Sequence, residues 1–204
     1  MNKISEIFAK FISVIFHPLL MSTFGLLIIF NSGTYISYIP FEAKRVIFYL
    51  FFSGTVIIPL CFIPIFLYFN VIENAKIDSP THRFLPLLVT GVLYFSTYYI
   101  LRKYPIPFIN LFLLSSSICV FINACIAPWW KISSHLIGAG GLTGLVLSMF
   151  IRLNADISLL LIFAIIISGL IGFARLCLNT HTQLQVYGGF FLGLIVVCGM
   201  ILIF

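Results

Sequence analysis

Long apolar runs separated by short polar breaks organise this chain from end to end. Runs of roughly 18 or more apolar residues are long enough to cross a hydrocarbon core of about 30 Å as helices. In lipid the backbone must satisfy its own hydrogen bonds, which favours helices over irregular chain. The runs predict spans at 11–30, 46–69, 84–101, 108–127, 136–151, 157–174 and 186–204. The third and fifth are short, so six crossings also fit. Near the start, Ile4, Ile7, Phe8 and Phe11 share one helical face, with Lys3, Glu6 and Lys10 opposite. That pattern predicts an interfacial amphipathic helix over 1–10, leading into a transmembrane helical domain over 11–204. The expected fold class is all-α, a polytopic transmembrane bundle forming a single domain.

Composition excludes the soluble alternatives. Of 204 residues, 62% are hydrophobic and 8% charged, whereas a soluble domain carries about a quarter charged residues. The net charge of +6 does not imply a nucleic-acid partner, because the basic residues are scattered through short connections without an aromatic-basic motif. Cys61, Cys119, Cys125, Cys177 and Cys198 form no Cys-x-x-Cys pair, and most fall inside apolar runs. They read as small hydrophobes, not disulfides or metal ligands. Gly138, Gly140, Gly141, Gly144, Gly169, Gly172, Gly188, Gly189 and Gly193 read as close-packing positions between helices.

Parity groups the polar breaks. If all seven runs cross, the breaks at 70–83, 128–135 and 175–185 share one side, and they hold Lys76, Arg83, Lys131, His135, Arg175 and His181. The other side holds Lys44, Arg45, Arg102, Lys103 and Arg152. With the site candidates set aside, these five face two on the first side, Lys3 and Lys10. The positive-inside bias then places the second side in the cytoplasm and the polar breaks outside.

Imidazoles and cations gathered at the ends of spans need an anionic partner, and a phosphate at the bilayer surface fits. The first break reads Lys76-Ile-Asp-Ser-Pro-Thr-His-Arg83, the second Lys131-Ile-Ser-Ser-His135, and the third Ala174-Arg175, five residues, His181, three residues, Gln185. Order and spacing resemble the tripartite signature of the type 2 phosphatidic acid phosphatase superfamily: Lys-x6-Arg-Pro, Pro-Ser-Gly-His, and Ser-Arg-x5-His-x3-Asp. The resemblance runs from Lys76 to the C-terminus. Phe84 stands where the family has proline, Ile132 and Ser134 replace proline and glycine, and Ala174 replaces serine. Gln185 occupies the position of the family's aspartate.

The resemblance implies an integral-membrane lipid phosphatase of the bacterial plasma (inner) membrane, acting on a lipid phosphate or polyprenyl diphosphate without a metal or other cofactor. His181 would be the nucleophile and His135 the general acid, with Gln185 orienting His181. Lys76, Arg83, Ser133, Ser134 and Arg175 would bind the phosphate. The chemistry is coherent, since ester cleavage through a covalent intermediate needs a nucleophile, an acid and fixed positive charge. Forked guanidinium donors suit phosphoryl oxygens, and residues 133–134 precede a predicted helix whose free N–H groups favour an anion. Gln185, four residues after His181, shares its helical face and can accept from its ring, but it carries no charge. A catalytically silent phosphatase-like protein that binds phospholipid or a partner protein is the rival reading. His17, beside Pro18 in the first span, reads as structural.

Overall fold

The dipeptide His17-Pro18 sets the shape of the N-terminal region. The computed structural model describes residues 3–69, 71 and 80–204, so Lys76 lies outside the described residues. Helix α1 (Lys3–Ile15) ends just before His17, and α2 (Pro18–Phe30) starts with Pro18 in its first turn. A residue preceding proline is pushed out of the helical region, and His17 is extended (φ −62°, ψ 139°). Proline fits at the first helical position because its missing N–H has no partner there anyway. The two helices meet at 59°. The expected continuous span over 11–30 is therefore two helices, a correction that follows from the proline.

The remaining helices are α3 (Phe41–Phe52), α4 (Ile58–Tyr68), α5 (Pro80–Leu101), α6 (Pro107–Ile126), α7 (Ser134–Leu153), α8 (Ser158–Cys177) and α9 (Gln183–Ile203). A π-helical turn, Ser53–Ile57, joins α3 to α4 just ahead of Pro59. Together they make one helical segment, Phe41–Tyr68. Among the described residues six helices are long and apolar enough to cross a membrane, or seven spans if the bent α1–α2 pair is one broken span. Among the described residues there is no strand, and the helices form one all-α bundle. The outer face of α8 exposes Leu159, Ile162, Phe163, Ile166 and Phe173, a continuous apolar surface suited to lipid. These are the features of a multi-pass membrane protein.

Backbone proximity at glycine holds the centre together. Helices α7 and α9 run parallel and make the most extensive pair. A Cβ on Gly193 would lie 2.0 Å from Ile137 O, and one on Gly140 2.0 Å from Phe190 O. Only hydrogen in place of a side chain permits that approach. Leu145 and Met149 on α7, Ile171 on α8 and Ile201 on α9 are fully buried. Of the polar residues on α6, Ser117 bonds across to Gly91 O on α5 at 3.1 Å, and Asn123 reaches Ser134 on α7. Ser115 and Ser116 instead bond Phe112 O within α6.

The bundle has two ends. At one, the starts of α2, α5, α7 and α9 meet the ends of α6 and α8, and Arg83, Ser134, His135, Arg175 and His181 come together there. At the other, Arg152 donates to Ile201 O and Phe204 O, and Lys44 donates to Phe30 O and Ser37 O at 3.2 and 2.7 Å. These cations satisfy backbone carbonyls, including the free ones that α2 and α9 leave at their C-termini.

Candidate active site

The third motif owes its spacing to two consecutive helix caps. Helix α8 ends in a Schellman turn. Asn179 adopts the left-handed conformation (φ 50°), Thr180 N–H donates to Arg175 O at 3.3 Å, and Asn179 N–H donates to Leu176 O at 3.0 Å. Asparagine tolerates that conformation better than most residues. Thr182 then caps α9 in a capping box: its Oγ1 accepts from Gln185 N–H at 3.4 Å, while Gln185 Oε1 accepts from Thr182 N–H at 3.1 Å. Arg175 therefore sits in the last turn of α8, His181 just ahead of the α9 cap, and Gln185 in the first turn of α9.

This local chemistry fixes the tautomer of His181. The capping box requires the Gln185 atom facing Thr182 N–H to be oxygen, which settles the amide orientation. That same Oε1 lies 3.3 Å from His181 Nδ1, and Lys131 O lies 3.0 Å from it. Both partners are acceptors, so Nδ1 carries the proton and Nε2 keeps its lone pair. Burial and the Arg175 charge, reinforced by Arg83, push the imidazole pKa down to about 4 against the two hydrogen bonds. His181 is thus a neutral imidazole with a free Nε2 at physiological pH.

The other motifs deliver their residues to the same place. Arg83 Nη2 donates to Ser134 Oγ at 3.3 Å, and Asn123 Nδ2 donates to the same oxygen at 2.9 Å. His135, one residue into α7, donates through Nε2 to Ser13 O on α1 at 3.2 Å. That carbonyl belongs to the last turn of α1, where the His17-Pro18 break leaves acceptors without helical partners. His135 therefore has Nδ1 left for other work. The ring of His17 meets that of His135 edge-on, centroids 5.9 Å apart, and its Nδ1 accepts from Leu19 N–H at 3.4 Å.

A cavity of about 300 Å³ opens among these side chains, and Arg83, Ser134, His135, Arg175 and His181 all line it. Of the expected phosphate ligands, Ser133 does not. It is fully buried at the N-cap of α7, its N–H donating to Gln185 O at 3.2 Å. Gln185 also stands off the wall, consistent with a residue that acts through His181. Two residues join the site that the sequence reading left out, His17 and Asn123. A histidine directly before proline was the available signal for His17, because the pair marks a helix start. Among the described residues no three His, Cys, Asp or Glu side chains converge to hold a metal ion.

The double acceptor on His181 Nδ1 predicts a mild phenotype for Gln185→Leu. The Lys131 carbonyl still holds the tautomer, so the preference for the Nδ1–H form should fall by about tenfold or less, the worth of one hydrogen bond. Half of the capping box is lost while Thr182 still accepts from the backbone N–H of residue 185, so stability should fall by about 1 kcal/mol or less. Histidine 15N NMR and thermal denaturation of the variant check both, and conversion of His181 to the Nε2–H tautomer would show that Gln185 alone orients the ring.

No protein-family model, no curated protein and no solved structure matches the chain.

Proposed function

We propose that this chain is an integral-membrane phosphatase of the type 2 phosphatidic acid phosphatase kind, hydrolysing a lipid phosphate or polyprenyl diphosphate. The observation that carries the proposal is the His181 imidazole, held as the Nδ1–H tautomer with a bare Nε2, in a cavity that also holds Arg83 and Arg175. A neutral nitrogen nucleophile beside two guanidiniums is what attack on an anionic phosphorus centre requires.

In the first step His181 Nε2 forms a bond to phosphorus while the bond from phosphorus to the leaving oxygen breaks. His135 is the acid: its ring takes up a proton together with the anionic substrate, whose charge offsets the cost of burying a cation, and gives the Nδ1 proton to that oxygen. The lipid alcohol leaves, or the lipid monophosphate where the substrate is a diphosphate, while the Ser13 carbonyl keeps its bond from Nε2. In the second step neutral His135 takes a proton from water, whose oxygen attacks phosphorus and releases His181 and inorganic phosphate. Arg83 and Arg175 neutralise the phosphoryl oxygens throughout, so the scheme requires no metal. The family resemblance would add Lys76 to this cationic set.

The test is phosphate release by purified protein from phosphatidic acid, phosphatidylglycerophosphate, a polyprenyl diphosphate and phosphorylated lipid A. Cleavage of at least one, abolished in His181→Ala, is the expected result. Binding without cleavage by the wild type would favour the silent relative, a reading that Gln185 in place of a carboxylate keeps in play. The basic residues at the far end orient that end toward the cytoplasm and the cavity toward the periplasm or exterior of a bacterial plasma membrane. A reporter active only outside the cell should be silent when fused at Phe204.

A further inference from the structure

The cavity does not stop at the polar residues. On α5 it is lined by Arg83, Pro86, Leu87, Thr90 and Tyr94, and on α6 by Asn123, Val120, Cys119, Ser116 and Phe112. Each set follows one helical face, in steps of three, one, three and four residues, and its ends are eleven residues apart. At 1.5 Å per residue that is a depth of about 16 Å, read independently from two antiparallel helices. The hydrocarbon of one leaflet is about 15 Å deep, half of the roughly 30 Å core. The shaft therefore begins at the guanidinium level and descends through one leaflet's worth of bundle interior.

Its wall is apolar in effect as well as in composition. The hydroxyls that face it are satisfied elsewhere: Thr90 Oγ1 donates to Pro86 O at 2.8 Å, Ser116 Oγ to Phe112 O at 2.8 Å, and Ser22 Oγ to Leu19 O at 3.2 Å. Water in such a space would find few partners, and apolar cavities of this kind stay dry or take apolar ligands. At the bottom Tyr94 is buried, its hydroxyl 3.3 Å from Ser22 Oγ. Phe112 closes the other side, stacked on Phe51 with centroids 6.4 Å apart. The shaft has cationic and imidazole groups at its mouth and an aromatic floor.

We infer that this shaft is the binding site for one acyl or prenyl chain of the lipid phosphate, held inside the bundle among α2, α4, α5, α6 and α7 rather than between the protein and the bilayer. The inference rests on the phosphatase reading for the headgroup, and on the shaft's own dimensions for the tail. An anionic headgroup at Arg83 and Arg175 with its chain pointing down the shaft leaves the scissile phosphate beside His181 and the tail at its native depth. Tyr94 and Phe112 then set an upper limit on the chain length accommodated.

The probes are dodecylphosphonate, whose extended chain matches the depth of the shaft, and butylphosphonate, neither of which can be hydrolysed, together with the corresponding alkyl phosphates as substrates. The wild type should bind the dodecyl compound at least about a hundredfold more tightly, since each buried methylene adds to affinity. Thr90→Phe, which fills the shaft midway, should cut that preference at least about tenfold, and Ser116→Leu on the facing wall should do the same. Thr90→Val, equal in size, should retain it. If both filling variants are folded by thermal denaturation and keep the full dodecyl preference, the tail lies elsewhere and the inference is overturned. No chain-length preference in the wild type overturns it as well. Selective dodecyl binding that the filling variants abolish, with no hydrolysis of any alkyl phosphate, would retain the shaft and reject the phosphatase chemistry.

Discussion

Substitution of His181 by alanine or asparagine should lower phosphate release by at least about 10⁴-fold, the scale seen when a covalent nucleophile is removed. Asparagine is the more telling variant, because it retains a polar group in the nearly buried position while removing Nε2. Rapid quenching of the wild type during turnover should trap a phosphoryl adduct on His181, stable to alkali and labile to acid, which neither variant forms. Residual turnover within about tenfold of wild type would assign the nucleophile elsewhere. The same residue fixes a pH dependence. Its folded pKa, pushed down to about 4 by burial, Arg175 and Arg83, lies below the ordinary histidine value of about 6.5. The neutral, nucleophilic form is therefore present at neutral pH and is lost only as pH falls through about 4. Histidine 13C NMR on the unliganded protein reads that midpoint directly, and a midpoint near 6.5 would remove the electrostatic case for the nucleophile.

Gly193→Leu should be the most damaging change to the fold. A Cβ there meets Ile137 O at 2.0 Å and Gly141 N at 2.7 Å, and both are backbone atoms of α7 that no rotamer change can move. Overpacking of an interior typically costs about 1–3 kcal/mol, and a leucine forced between two main chains belongs at or above the top of that range. Because α7 starts at the site with Ser134 and His135 while α9 follows His181, separating the two helices also pulls the candidate acid from the candidate nucleophile. Loss of both folded yield and phosphate release is expected, with Gly193→Ala intermediate. Gly199→Ala is the matched control. Nothing lies within 4 Å of its would-be Cβ, so helix propensity alone should leave stability unchanged or raise it by up to about 1 kcal/mol. Equal destabilisation by Gly193→Ala and Gly199→Ala, followed by thermal denaturation in detergent, would show that the α7–α9 approach does not hold the fold.

These glycines mark the boundary of what pattern reveals. Sequence grouped Gly169 with Gly193 as packing positions, yet a Cβ on Gly169 meets nothing within 4 Å. Spacing identifies the face of a helix, but whether another helix lies against that face depends on the whole bundle. The spans themselves were legible because lipid imposes length and apolarity on any crossing helix. The exception was 11–30, where apolarity continued through a proline that broke the helix. The third motif was legible for a different reason. The distances among Arg175, His181 and Gln185 arise from a Schellman turn and a capping box, both built from neighbouring residues. The resemblance and the four-residue spacing paired Gln185 with His181, but the expected shared helical face is not the reason: His181 lies ahead of the α9 N-cap, and the capping box brings the Gln185 side chain back to it. The long-range partners were not available in this way. Lys131 O at His181 Nδ1, Ser13 O at His135 Nε2, and the approach of His17 to His135 join residues 50, 122 and 118 positions apart. No local periodicity encodes a contact between a carbonyl freed at the end of α1 and a ring at the start of α7. The shaft is of the same kind, because α5 and α6 each show only an ordinary apolar face, and the space exists only where those faces fail to meet. The chain by itself therefore determined the helices, their breaks and the local cap that carries His181, through constraints acting over a few residues. Tertiary packing decided the tautomers, the membership of the site and the depth of the cavity, because each depends on atoms brought together from distant helices.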